Sequence, residues 1–299
     1  MTQEQPDIRT VRFESHERTC LATLHLPSRE NPPLLVMGNG FGGTRDVLLP
    51  RFAESFVEAG IAVLAFDYRG FGGSEGPERR IDPFAQVEDW LAAIDAGRAL
   101  DEVDGSSLGL WGVSLSGGHV VEAAARRRVD AVASHSPFVD GVASLRHLFD
   151  QAGPRYLVAA GLHGIRDLVG DVIGRGPHEV AIVGSPDEFA LLNLPGAYEG
   201  YTKLVGEDAT WTNACQARVA LQIGRYRPIR RAEFVTCPAL VAIATDDRIN
   251  PPQAAERLVD SLPRGEALRF DVGHFDLYDG SVFDRLLEDE MDFFATHLA

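Results

Sequence analysis

The chain has 299 residues, with 28 Lys and Arg against 44 Asp and Glu, a formal net charge of −16 that disfavours nucleic acid as a partner because polyanion binding draws on clustered basic side chains. With 45% hydrophobic and 24% charged residues the composition is that of a globular protein with a core of its own. No apolar stretch approaches the roughly 18 residues of a membrane span, so no membrane partner is expected. Cys20, Cys215 and Cys237 stand apart without metal or redox spacing, and Met1–Thr10 has no apolar run behind a basic start, so the expectation is a cytoplasmic protein without a secretory leader.

In chain order, two β-like runs come first, Thr10–Phe13 and Thr19–Leu26, too close together for a helix between them, and they read as an antiparallel hairpin. Strand Leu34–Met37 leads into a glycine-rich loop, a helix over Arg51–Ala59 and strand Ile61–Phe66. A second glycine-rich loop precedes Pro83–Arg98, where Phe84, Val87, Leu91 and Ile94 fall on one helical face. Strand Leu108–Val113, helix Gly117–Arg128 and strand Val129–Ser134 follow. The chain closes with strand Ala239–Ala244, helix Pro252–Leu262, strand Ala267–Val272 and helix Phe283–Leu298. Short apolar runs alternating with amphipathic segments indicate a mostly parallel sheet with helices on both faces.

Between Pro137 and Pro238 this alternation lapses for about a hundred residues, far beyond an ordinary connection of 2 to 6. The expectation is an insertion, 138–237, between core segments 1–137 and 238–299. Helix-like pieces lie at Ala143–Asp150, Arg155–Leu168 and Trp211–Ile223. Long ordered insertions usually serve a site, so a helical lid over the strand ends is expected.

The strongest chemical signal is Gly112-Val113-Ser114-Leu115-Ser116-Gly117-Gly118, between an apolar strand and a helix. A tight strand-to-helix turn exposes its serine in a strained conformation, which only small neighbours tolerate; Gly112 and Ser116 are both small. Gly72-Gly73-Ser74-Glu75-Gly76 matches the same pattern letter for letter but leads into Pro77 and a charged run, so Ser74 reads as a turn residue. A nucleophilic Ser114 needs a base, and among nine histidines His274 stands directly after the last strand. His119 and His135 are placed where they could line a pocket; His16, His25, His147, His163, His178 and His297 lie at edges, in the insertion or in the last helix. A carboxylate must orient the base, and Asp246 and Asp247 follow strand Ala239–Ala244. A tetrahedral intermediate needs two aimed N–H donors: Leu115, after the nucleophile, and Phe41, in the loop Gly38-Asn39-Gly40-Phe41-Gly42-Gly43. That loop lacks the Lys-Ser/Thr of a phosphate-binding P-loop.

These residues together resemble the serine α/β-hydrolase superfamily from about Leu34 to the C-terminus. Gly38–Gly43 is similar to its His-Gly-x oxyanion loop, with Asn39 in place of His; Asp67–Ser74 is similar to its post-strand loop, and Gly112–Gly118 to its elbow. Asp247, four residues before Pro251, falls where the family's acid stands, and Gly273–Tyr278 resembles its histidine loop. Within the superfamily the chain looks closest to polyketide-transferase-like and dipeptidyl-peptidase-like hydrolases. The resemblance implies an α/β-hydrolase fold, with a mostly parallel eight-stranded sheet, flanking helices and a lid. It further implies a Ser114–His274–Asp247 triad acting on an ester, thioester or amide of a small to medium acyl substrate, with no metal or organic cofactor. An acyltransferase with the same triad and a non-catalytic binding protein are the competing readings.

Overall fold

The computed structural model describes residues 7–298; the first six residues of the N-terminal segment and residue 299 lie outside that range. The strands are β1 (Asp7–Ser15), β2 (Arg18–Leu26), β3 (Pro33–Gly38), β4 (Ala62–Phe66), β5 (Asp104–Val113), β6 (Ala131–His135), β7 (Glu179–Val183), β8 (Ala190–Leu192), β9 (Cys215–Gln216), β10 (Ala239–Ala244) and β11 (Gly265–Phe270). Eight of them form one sheet in the order β1-β2-β4-β3-β5-β6-β10-β11. The pairings β1–β2 and β2–β4 are antiparallel and the rest parallel. Strands β3, β4 and β10 are buried along their whole length, as their unbroken apolar runs require when helices cover both faces.

One face packs against α1 (Leu49–Glu58) and α8 (Gly280–His297), through Phe52, Phe56, Leu286 and Phe294. The other packs against α2 (Pro83–Arg98), α3 (Leu115–Ala124) and α7 (Pro252–Ser261), through Trp90, Ile94, Val120 and Leu258. α2 begins where the sequence says it should: Pro83 occupies its first turn and the Asp82 carboxylate accepts the N–H groups of Phe84 and Ala85. Phe84 itself is half exposed, its ring edge-on to Tyr226, rather than in the core with Val87, Leu91 and Ile94. α3 starts at Leu115, two residues earlier than the sequence spacing suggests, immediately after Ser114.

The chain between β6 and β10 departs from a purely helical insertion. Its two expected N-terminal helices are limbs of one element, α4 (Gly141–Val172), broken at Gly153 (φ 77°, ψ 172°) just before Pro154. Proline cannot donate to the preceding turn, and glycine supplies the left-handed backbone the break needs. The helix expected over Trp211–Ile223 does not form as one element. Instead β9 pairs antiparallel with β7, which also carries β8, and only α6 (Val219–Gln222) is helical, downstream of α5 (Ala197–Lys203). Asn213 explains the override: its side chain accepts the Val183 N–H at 2.9 Å and donates to the Val183 C=O at 2.8 Å, extending the ladder where backbone pairing stops. The buried Asp167 carboxylate rivets α4 to this small sheet, accepting from the Arg218 guanidinium and from the backbone N–H groups of Arg218 and His178. Both ends of the insertion meet at the core: the Gly141 N–H donates to the Tyr226 C=O at 2.9 Å, Ile229 N–H to the Val139 C=O at 3.0 Å, and Arg227 pairs with Asp140 at 2.8 Å. Among the described residues no helix is long and apolar enough to cross a membrane.

Candidate active site

Ser114 sits in the turn from β5 to α3 with φ 56° and ψ −114°. This region is unfavourable for a side-chain-bearing residue and persists only where surroundings over-determine it. Here the Ser114 N–H donates to the His135 C=O and its C=O accepts from the Phe138 N–H, both at 2.8 Å. A Cβ at position 112 would collide with the Ser116 carbonyl, so only glycine fits there. Ser116, where the motif usually has glycine, is fully buried and its hydroxyl pairs with the Tyr68 OH, which also accepts the Trp90 Nε1–H at 2.8 Å. The extra hydroxyl is therefore satisfied.

The loop after β3 is organised by Asn39. Its Oδ1 accepts the Gly40 N–H at 2.7 Å, and its Nδ2 donates to the carbonyls of Thr44 and Val47 at 2.8 and 2.7 Å. From the insertion, the Tyr201 OH donates to the Phe41 carbonyl at 3.2 Å. With that carbonyl held, the Phe41 N–H has no protein acceptor among the described residues, and neither has the Leu115 N–H at the start of α3. Both residues line the cavity that reaches Ser114.

His274 follows β11, and its Nδ1 lies 2.6 Å from Asp247 Oδ2, both side chains being at least nine-tenths buried. An imidazole donating from Nδ1 to a carboxylate keeps Nε2 as the acceptor. The other Asp247 oxygen accepts the N–H groups of Ile249 and Asn250 at 2.7 and 2.9 Å. Asp246 is exposed and its carboxylate makes no contact with His274. Ser114 and His274 open onto one small cavity, shared with Phe41 and Tyr201. They do not hydrogen-bond to each other; Ser114 Oγ instead accepts from Asn250 Nδ2 at 3.3 Å. Catalytic hydrogen bonds are often long in unliganded sites and tighten around substrate.

Sequence reasoning missed Asn250 because an asparagine before a proline reads as an ordinary turn residue. His119 and His135 reach neither cavity. His119 is fully buried between the Tyr226 OH at 2.6 Å and Gln86 Oε1 at 3.3 Å, and burial pushes its imidazole down to about 3. His135 lies behind the sheet, paired with Glu290 and packed on Trp111. Ser74 braces a turn, donating to the Asp67 C=O at 2.9 Å and accepting the Leu21 N–H at 2.8 Å.

A second cavity of about 320 Å³ has Ser114, Leu115, Phe41 and Asn250 at its core-side end. Leu145, Leu148, Tyr156, Leu157, Ala160 and Gly161 of α4, with Leu191, Val219 and Ile223, form much of the remaining wall. The wall is almost wholly apolar, which suits an acyl chain. Trp211, by contrast, stacks on Tyr201 with ring centres 5.0 Å apart and does not line it.

The family model described as the alpha/beta hydrolase fold matches residues 33–281. The quorum-quenching protein AidA of Acinetobacter baumannii is 37% identical over 286 residues, covering 95% of this chain and 93% of that protein. The thiohydrolase aneE of Aspergillus aculeatus is 27% identical over 279 residues, covering 90% and 87%. The crystal structure of the alpha/beta hydrolase GrgF from Penicillium sp. sh18 superposes with a TM-score of 0.81 at 23% identity, covering 98% of this chain and 99% of that one, a likeness of fold.

Proposed function

The chain belongs to the alpha/beta hydrolase family, and from that premise we propose that it is a serine hydrolase cleaving an ester or thioester of a small to medium apolar acyl group. The observation that carries the proposal is the 2.6 Å Asp247–His274 contact, whose histidine opens onto the same cavity as a strained Ser114. In this reading His274 Nε2 takes the Ser114 proton as Oγ attacks the acyl carbon, and Asp247 stabilises the imidazolium. The Phe41 and Leu115 N–H groups receive the oxyanion, a contribution worth about 10² to 10³ in rate per donor in comparable sites. The intermediate collapses as the leaving alcohol or thiol takes the proton from His274. Water then attacks the acyl-enzyme, giving its proton to the same nitrogen, and the second intermediate releases the acid as the Oγ–C bond breaks and His274 returns the proton to Ser114 Oγ. The insertion acts as a lid whose apolar wall holds the acyl chain. The thiohydrolase name of one relative supports thioesters as the first substrates to test, and the quorum-quenching name of another adds small signalling molecules.

The test is covalent labelling with a fluorophosphonate followed by peptide mapping. The label is expected on Ser114 and absent in Ser114→Ala, while Ser74→Ala is labelled as wild type. Labelling that survives Ser114→Ala would overturn the proposal. A protein that labels but passes its acyl group to an added amine or alcohol in preference to water would be an acyltransferase, read directly from the products.

A further inference from the structure

Asn250 is the residue at this site that no pattern in the sequence announces. It lies in the loop after β10, 5% exposed, three residues beyond Asp247. Its Nδ2 donates to the Ser136 carbonyl at 2.7 Å, an acceptor only, so the nitrogen and not the oxygen of the amide faces that way. The same nitrogen stands 3.3 Å from Ser114 Oγ. Its backbone N–H is fixed on Asp247 Oδ1 at 2.9 Å, so the carboxylate that holds His274 also holds the backbone carrying this amide.

Resting on the serine-hydrolase reading, we infer that Asn250 is a catalytic residue whose amide N–H serves Ser114 Oγ as a leaving-group donor during deacylation. A hydroxyl offers one proton and two lone pairs. The Asn250 N–H engages one lone pair, which leaves the Ser114 proton for His274 and the second lone pair for attack. Acylation consumes the hydroxyl: the proton passes to His274, the Oγ–C bond forms, and the leaving group departs with that proton. In the acyl-enzyme Oγ is the alkoxy oxygen of an ester. Water adds to the acyl carbon and yields its proton to His274; the Oγ–C bond then breaks, Oγ recovers the electron pair, and His274 returns the proton to Oγ as the acid is released. Negative charge builds on Oγ as that bond breaks, and a fixed donor is worth most where charge develops. In the attack step the same contact draws density from the nucleophile, so it gives little advantage there. The amide is asymmetric in its effect on the two half-reactions.

The experiment uses the full chain and a p-nitrophenyl ester of a short fatty acid, with Asn250→Ala and Asn250→Asp. Asn250→Ala is expected to lower kcat about tenfold or more while fluorophosphonate labelling of Ser114 slows less than about threefold. Intact mass during turnover is expected to show the acyl adduct accumulating in Asn250→Ala beyond its level in wild type, and a pre-steady-state burst is expected to appear or grow. Asn250→Asp removes the donor with the shape retained and should accumulate the adduct likewise. Equal slowing of labelling and turnover with no extra adduct, or an unchanged kcat, would overturn the inference. A purely structural role would lower the melting temperature and leave the ratio of the two rates unmoved. Failure of the underlying reading is separate: Ser114→Ala would then keep its turnover and no adduct would map to Ser114 in any variant.

Discussion

Asp247 and His274 meet at 2.6 Å, and the same carboxylate caps its own loop through the N–H groups of Ile249 and Asn250. One side chain thus does both things that the adjacent pair Asp246 and Asp247 could have divided between them. Removing its charge loosens the loop as well as the imidazole.

Asp247→Asn is therefore expected to be nearly inactive, with a loss of up to about 10⁴ in turnover from the unproductive tautomer, and to lose about 1 kcal/mol of stability from the weakened cap. Asp246→Asn, altering an exposed side chain, should match wild type in both. Turnover of an activated ester alongside a denaturant titration measures the two effects separately. Full activity in Asp247→Asn would move the orienting role elsewhere. Asp140, which follows β6, already caps α4 and pairs with Arg227.

Gly161 lines the apolar cavity beside Ser114 from α4, and a Cβ built there meets nothing within 4 Å. Gly161→Leu should fold without loss, because leucine is the better helix former by about 1 kcal/mol. It should also fill part of the cavity. The ratio of kcat/KM for long against short acyl esters is expected to fall, with fluorophosphonate labelling of Ser114 nearly unchanged. An unaltered ratio would place the acyl chain outside this cavity.

His119 gives the fold a pH dependence whose direction is set by burial. Its folded-state value lies near 3 against an ordinary 6.5, so below the ordinary value the unfolded chain takes up a proton that the native state refuses. The stability it contributes is present above about 6.5 and is lost as pH falls towards 3. His119→Gln, which keeps a donor and an acceptor for Tyr226 and Gln86, should flatten the stability profile across that window. The slope difference is at most one proton, about 1.4 kcal/mol per pH unit. Parallel profiles would show the imidazole protonated in the native protein.

The Arg218–Asp167 pair is the internal brace of the insertion, with Arg218 Nε 2.8 Å from Asp167 Oδ2 and both groups buried. Arg218→Met leaves an uncompensated carboxylate inside and should cost about 3 to 5 kcal/mol. Limited proteolysis should then open the chain within the insertion before the sheet is cut. Replacing both partners with apolar residues should recover much of the loss.

Much of the frame was legible from periodicity alone: the hairpin, the buried runs of β3, β4 and β10, and α2 from Pro83 to Arg98 match the sequence reading closely. Strand exits also pointed to Ser114, to the pair Asp246 and Asp247, and to His274, and the family resemblance singled out Asp247 from the pair. The insertion was less legible, because its small sheet depends on contacts far apart in sequence. Val180 meets Cys215, and Asn213 substitutes for backbone in a way helical spacing cannot reveal. Asn250 was hidden for a different reason. Its importance comes from where Nδ2 ends up, across from Ser114, and not from any residue beside it in the chain.

The doorway formed by Gly141 with Tyr226, Val139 with Ile229 and Asp140 with Arg227 has an evolutionary corollary. Because the excursion leaves and re-enters the core at one place, the scaffold sees a short stitch, however much chain hangs from it. Loop-closure cost grows only slowly with length, so pieces can be added, trimmed or exchanged beyond the stitch at about 0.6 kcal/mol per doubling. Ser114, Asp247 and His274 stand on strand ends outside the stitch, and Tyr201 is where the excursion reaches back to the Phe41 loop. Descendants of this architecture can thus diversify in appetite while conserving their teeth.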